Sequence, residues 1–343
     1  MNSITDPQKS KPEKVKIGSE ACFSIPSAGI LRQFSLSFEG DVFLNAIGLF
    51  YCFIALFFWG VAPVIYRFCG DTFAPSKMQA LRSVGFLSAA ILLLLAEPGK
   101  LFWPGGWELL WLMSLTFIGI TVGDTLYFKC IARIGAGKAA ALTSTYPLYV
   151  VFVSWAFLGE GLSIWGLLGA LAIVLGLMLL CLFKERGAGA GYGNQPVRSG
   201  LLLGIGAGLC WGGGLVVIRW ISLRTGISAS AITFWRALAV FVTVWPTYLR
   251  DRRRLGTTEP MLQLRDTKAL LMIAAGVFVL ALPSWFVSQA MSYIPAAMVS
   301  PITGSSPVIA ALLGLFFFKE KITPLQWLGI VMIIGGGAAI NLL

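Results

Sequence analysis

Residues 135–176 read GAGKAAALTSTYPLYVVFVSWAFLGEGLSIWGLLGALAIVLG, and much of this stretch returns 160 positions later. Pro147, Glu160, Gly169 and Gly176 recur, without a gap, as Pro307, Glu320, Gly329 and Gly336. Upstream, Trp59, Gly60 and Arg67 recur as Trp211, Gly212 and Arg219, and Arg82 recurs as Arg236. A unit written twice folds as two copies packed on each other, so the repeat constrains the architecture more than any single motif.

The composition says where the copies fold. Apolar types make up 57% of residues and charged types 12%, about half the charged share of a soluble protein. The apolar residues fall in runs of about 20, the length that crosses about 30 Å of hydrocarbon as a helix. Ten spans result, at about 44–66, 77–96, 107–131, 136–158, 163–183, 198–218, 228–249, 268–292, 295–317 and 324–343. The expected fold is an all-α integral membrane protein of ten transmembrane helices. Residues 44–183 form one five-helix repeat and 198–343 the other, with a polar tail (1–43) ahead and a Gly-rich linker (184–197) between them. Five spans per copy is an odd number, so the second copy enters the membrane from the opposite side. Inverted repeats of this kind are a transporter architecture, with the site near the midplane where the halves meet.

The tail reads as flexible, with Ile30, Leu31, Phe34 and Phe38 able to form one short interfacial helix. It has no apolar core of a cleaved signal peptide. The net charge of +11 resides mostly in short loops and the first 35 residues, a positive-inside pattern rather than a nucleic-acid footprint. Membrane lipids and a small-molecule substrate are the expected partners. The loops after odd-numbered spans, from Arg67 and Lys77 to Lys319 and Lys321, hold most of the Lys and Arg; the RDRRR run at 250–254 reads as a topology anchor. On that count both termini lie outside. Six scattered cysteines without a CxxC pair, and no histidine at all, suggest neither a disulfide framework nor a metal site, and no cofactor is expected. The stretch GIGAGLCWGGG (204–214) has no Lys-Ser/Thr after it, so it reads as helix packing or a flexible gate rather than a phosphate loop.

Charges deep in a span cost about 2.5–3.5 kcal/mol each on insertion scales, which makes the few present informative. Asp124 is the one acid well inside a span; Arg82 and Arg236 lie inside the second and seventh spans. Counting from the ends of their helices puts Arg82 and Asp124 within about 3 Å of equal depth, so an ion pair is allowed. Asp124 is then either a coupling carboxylate or the structural partner of Arg82. The second copy has Ser284 where the first has Asp124, leaving Arg236 without an obvious intramembrane partner. Arg236 is therefore the candidate receptor for an anionic substrate group, against the plainer reading that it snorkels or binds backbone carbonyls.

Pro147 and Pro307 each remove a backbone hydrogen bond and are expected to break their helices, where freed carbonyls can line a cavity. Around them stand Thr143, Ser144, Thr145, Tyr146, Ser300, Thr303, Ser305 and Ser306, readable as cavity lining or as small hydroxyls for tight packing. Trp59, Trp211, Tyr127, Trp285 and Gln289 are candidate cavity walls, whereas Trp103, Trp107 and Trp111 read as interfacial aromatics. Glu160 and Glu320 close their spans at the surface, where each is expected to cap the N-terminus of the next helix.

These residues resemble the drug/metabolite transporter superfamily, specifically its EamA-type ten-span members. The resemblance rests on the paired five-span repeats, the mid-span Pro147 and Pro307, the endings at Glu160 and Glu320, and the Gly-rich spans after them. It implies export or exchange of amino acids and other small metabolites by proton- or substrate-coupled alternating access. It also implies cytoplasmic termini, against the charge count. Two other functions fit the sequence less well. A flippase or exporter of an amphiphilic or lipid-linked substrate would need an aromatic cavity open to lipid. An intramembrane enzyme would need paired carboxylates, a metal, or a nucleophile with its base.

Overall fold

The structure is a computed structural model that describes residues 38–69, 73–97, 99–134, 136–182, 197–256, 266–319 and 322–341. The short interfacial helix expected before residue 38, the linker and Glu320 lie outside the described residues, and Phe38 begins the first helix. Among the described residues, nine helical stretches are long and apolar enough to cross a bilayer, and the shorter apolar helix at Pro324–Ile340 makes the tenth.

In chain order the spans are Phe38–Cys69, Pro75–Leu95, 106–134, 136–158, Ile164–Leu182, Val197–Thr225, Ala229–Leu255, 267–293, 296–318 and Pro324–Asn341. Successive spans reverse direction, so the starts of odd-numbered spans and the ends of even-numbered ones share a face, called here the N face. The sixth and seventh spans outrun their apolar stretches. The sixth carries Arg219 and Arg224 inside its helix, and the seventh carries the whole RDRRR run. Arg and Lys are good helix formers whose long stems let the charge reach water, so hydropathy runs out before the helix does.

The two halves are held by close helix crossings. The fifth and tenth spans pack most extensively, and their glycines meet in reversed order. A Cβ on Gly169 would lie 2.5 Å from the Gly336 carbonyl oxygen, and one on Gly176 would lie 2.5 Å from that of Gly329. Gly169 and Gly329 are repeat-mates, as are Gly176 and Gly336, so the helices run antiparallel about a pseudo-two-fold axis. Without a hydrophobic driving force between helices in lipid, such backbone-to-backbone approach supplies the packing energy. Gly85 and Gly276 do the same between the second and eighth spans, where an added Cβ would overlap the backbone at Ile273 and Arg82 respectively.

Two irregularities are shared by the copies. The third and eighth spans each widen into a π-helical turn, at Phe117–Val122 and Gly276–Ala281. Such turns are rare and concentrate at functional sites. They lie at matching positions and end just before Asp124 and Ser284. The fourth and ninth spans are both broken, after Thr143 and after Gly304. Pro147 and Pro307 do not sit at the break. Each occupies the first turn of the helix that resumes after it, where the missing N–H has no intrahelical partner to lose. The break itself is a tight turn, with Leu148 N–H bonded to Thr145 O and Val308 N–H to Ser305 O.

Candidate functional site

Two polar groups lie inside the bundle, one in each half's version of the same place. In the first, Arg82 stands about 10 Å into the second span from the face opposite the N face. Its guanidinium lies 3.9 Å from the Asp124 carboxylate. The π-turn just before Asp124 sets where that carboxylate projects. Its other oxygen accepts a hydrogen bond from Trp211 Nε1 at 3.2 Å, and the Trp211 ring packs at 5.2 Å on Tyr127. The Tyr66 ring covers the guanidinium at 5.2 Å. Arg82 Nε is buried without a hydrogen-bond partner among the described residues. Trp211 belongs to the second half, so this group spans the interface between the copies.

Removing only the Trp211 N–H tests how much the cluster holds the halves together. A hydrogen bond to a charged group is worth about 1.5–3 kcal/mol. Trp211→Phe is therefore expected to lower the thermal unfolding midpoint in detergent by a few degrees. Trp107→Phe, at a position 61% exposed, is expected to leave it within a degree.

In the second group Arg236 stands about 10 Å into the seventh span from the N face. It donates to the Ser284 hydroxyl, and no carboxylate pairs with it among the described residues. Ser284 follows the matching π-turn, so the substitution of Asp124 by Ser284 between copies leaves a neutral acceptor where the first copy has an anion. Beside it, Trp285 Nε1 donates to Ser230 Oγ at 2.9 Å. Closer to the N face, a pocket of about 270 Å³ is lined by Glu97, Lys100, Ser228, Gln289 and Ser292, among others. Gln289 is five residues past Ser284 on the same helix, so this polar pocket lies nearer the N face than Ser284 does.

The remaining sequence candidates are dispersed. Trp59 Nε1 donates to Val279 O at 3.1 Å and fastens the first span to the eighth. Tyr146 donates to Ser300 O at 3.3 Å across the two broken helices, with Gly304 against its ring and against Pro147. Ser306 begins the resumed helix facing Gly60, whose Cβ would lie 3.0 Å from the Ser306 carbonyl. Four hydroxyls around the breaks bond to their own helices: Thr143 to Ala139 O, Ser144 to Ala140 O, Thr303 to Val299 O and Ser305 to Pro301 O.

Glu160 differs from its expected role. It caps a helix, but not the next one: its Oε2 accepts the backbone N–H of Ala296 at 3.1 Å, at the start of the ninth span. Its Oε1 pairs with Arg219 at 2.5 Å. The next helix starts at Ile164, where Ser163 Oγ accepts the Gly166 N–H in its place. The signal for the pair was present in the chain, since Glu160 and Arg219 fall at span ends on one face and both positions recur in the other copy.

Ten apolar helices in two inverted copies, meeting around buried polar groups, define a polytopic membrane protein built on an internal repeat. A family model for the EamA-like transporter family matches residues 46–182 and again 198–342. The chain belongs to that family, within the drug/metabolite transporter superfamily, and is a membrane transporter. An uncharacterized transporter of Archaeoglobus fulgidus is 27% identical over 227 residues, 65% of this chain and 72% of its own. Protein PecM of Dickeya dadantii is 26% identical over 291 residues, 82% of this chain and 88% of its own. A riboflavin transporter of Brucella anthropi is 31% identical over 114 residues, 33% of this chain and 37% of its own. One solved crystal structure superposes with a TM-score of 0.68 at 18% identity, covering 86% of this chain and 95% of that one, a likeness of fold.

Proposed function

We propose that this protein is a secondary active carrier of a small polar metabolite bearing an anionic group, an amino acid or related organic anion. It works by alternating access in the cell membrane. The observation that carries this reading is the contrast between the two arginines. Arg82 faces Asp124, and its charge is neutralised in place. Arg236, at the matching position, has a hydroxyl for a neighbour and keeps a cation free to receive a carboxylate. The guanidinium fork suits that geometry. The polar pocket nearer the N face, with Glu97, Lys100 and Gln289 in its wall, supports a polar substrate over an amphiphilic one.

Asp124 first keeps Arg82 charged at tolerable cost, because an unpaired charge at that depth is expensive. It is also the carboxylate through which protons would couple to transport. An intramembrane enzyme has little support, since one carboxylate paired with an arginine supplies neither an acid–base pair nor a nucleophile with its base.

The test is reconstitution in sealed vesicles of known sidedness with a metabolite panel that includes amino acids, dicarboxylates, riboflavin and a lipid-linked sugar, at two opposite pH gradients. Saturable uptake of an anionic metabolite is expected, with a rate that depends on the direction of the gradient if Asp124 couples protons. Movement of the lipid-linked sugar alone would favour the amphiphilic alternative and overturn the assignment.

A further inference from the structure

The Glu160–Arg219 pair joins the two halves at the N face. Glu160 belongs to the first half. Arg219, Met291 and Ala296 belong to the second. The ion pair measures 2.5 Å, with the two side chains only 10% and 12% exposed. Both groups are fully engaged: Glu160 also accepts the Ala296 N–H, and Arg219 also donates to Met291 O. One carboxylate and one guanidinium thus tie the end of the fourth span to the sixth and to the corner where the eighth span turns into the ninth.

Its setting is that of a contact able to part. Glu160 lies outside any helix, just after the π-turn Ser154–Leu158 and the left-handed Gly159, whose φ is +68°. A left-handed glycine followed by a non-helical stretch is a place where the chain can re-aim without bending a helix. The pair also sits at a membrane face, so on separation both charges reach water; a pair at the midplane would have to be stripped of it. Beneath it, Val150 of the fourth span and Val299 of the ninth are fully buried in the same apolar cluster. That cluster draws its residues from both halves, Cys52, Ala55 and Val150 from the first and Val287, Ile294 and Val299 from the second. In the sequence, Arg67 and Glu320 hold the matching positions toward the opposite face, and their side chains lie outside the described residues.

We infer that Glu160 and Arg219 are positioning residues for transport: they form the latch that holds the N face shut, and each transport cycle opens and re-forms it. The inference rests on the carrier reading above, because only alternating access gives a closed face a reason to open.

The test needs no substrate. A single cysteine is placed at Val299 in the full-length chain, in sealed vesicles of known orientation. Its modification by a membrane-impermeant maleimide from the N face is followed by peptide mass spectrometry. A control cysteine at Ser83, buried toward the other face, is followed in parallel. With the latch intact, Val299→Cys is expected to label slowly. Adding Glu160→Gln is expected to speed it about ten-fold while Ser83→Cys is unchanged. Arg219→Lys keeps the charge but loses the planar fork; it is expected to fall between, and it decides the matter should Glu160→Gln fail to fold. Unchanged labelling at Val299→Cys, or an equal rise at both positions, would overturn the latch, the latter by showing general loosening. Neither result bears on whether a metabolite moves, so a failed latch and a failed carrier assignment are told apart.

Discussion

Replacing Arg236 by Gln is expected to reduce uptake of the anionic substrate more than about a hundred-fold while the protein stays folded. Truncating one side of a buried hydrogen-bonded charge pair costs about 2–5 kcal/mol, and each 1.4 kcal/mol is a factor of ten in binding. Folding should survive because, among the described residues, Arg236 bonds a neutral hydroxyl and pairs with no carboxylate that its loss would orphan. The matching change Arg82→Gln is expected to behave differently. It strips Asp124 of its cation and leaves a buried carboxylate held by Trp211 alone. Lower yield and a lower unfolding midpoint should then accompany any loss of uptake. Equal effects of the two substitutions on stability, or unchanged uptake in Arg236→Gln, would count against the division of labour between the copies.

The second large effect concerns how the halves are joined. Gly85→Ala and Gly276→Ala each push a methyl into the backbone of the opposing helix. A backbone carbonyl cannot turn aside as a side chain can, so the helices must separate along their length. Overpacking commonly costs 1–3 kcal/mol and more where nothing can move. Here it is expected to lower the unfolding midpoint by about ten degrees, at the few degrees per kcal/mol that chains of this size show. Gly213→Ala and Gly335→Ala are the controls: the same change into open space is expected to be neutral or slightly stabilising, since Ala is the better helix former. Comparable midpoints for all four variants would mean that the halves do not pack through these glycines.

Much of the fold is legible in the chain because bilayer physics leaves few options. Apolar runs of spanning length have to be helices, and a repeat of five of them has to be inverted. What hydropathy cannot show is where a helix continues past the apolar region. Arg219 and Arg224 are therefore helical, although by composition they read as loop. The π-turns before Asp124 and Ser284 were equally hidden, because they are set by how neighbouring helices pack and have no residue pattern of their own. The prolines announced the helix breaks but not their position. The sequence could place Arg82 beside Asp124 because depth follows from counting residues. It could not place Trp211 there, because rotation about a helix axis depends on partners from the other half. Glu160 shows the same limit: a surface acid at the end of a span suggests a cap, but which helix it caps is a property of the assembled bundle.

The central claim is that one anion-receptive site is exposed alternately to the two faces of the membrane. Counterflow measures this directly: vesicles loaded with an excess of the unlabelled anionic metabolite take up a trace of labelled metabolite from outside. The account predicts transient accumulation above equilibrium that is saturable and absent in Arg236→Gln. Labelled metabolite that only equilibrates, at a rate indifferent to what is loaded inside, would indicate a passive pore and contradict it.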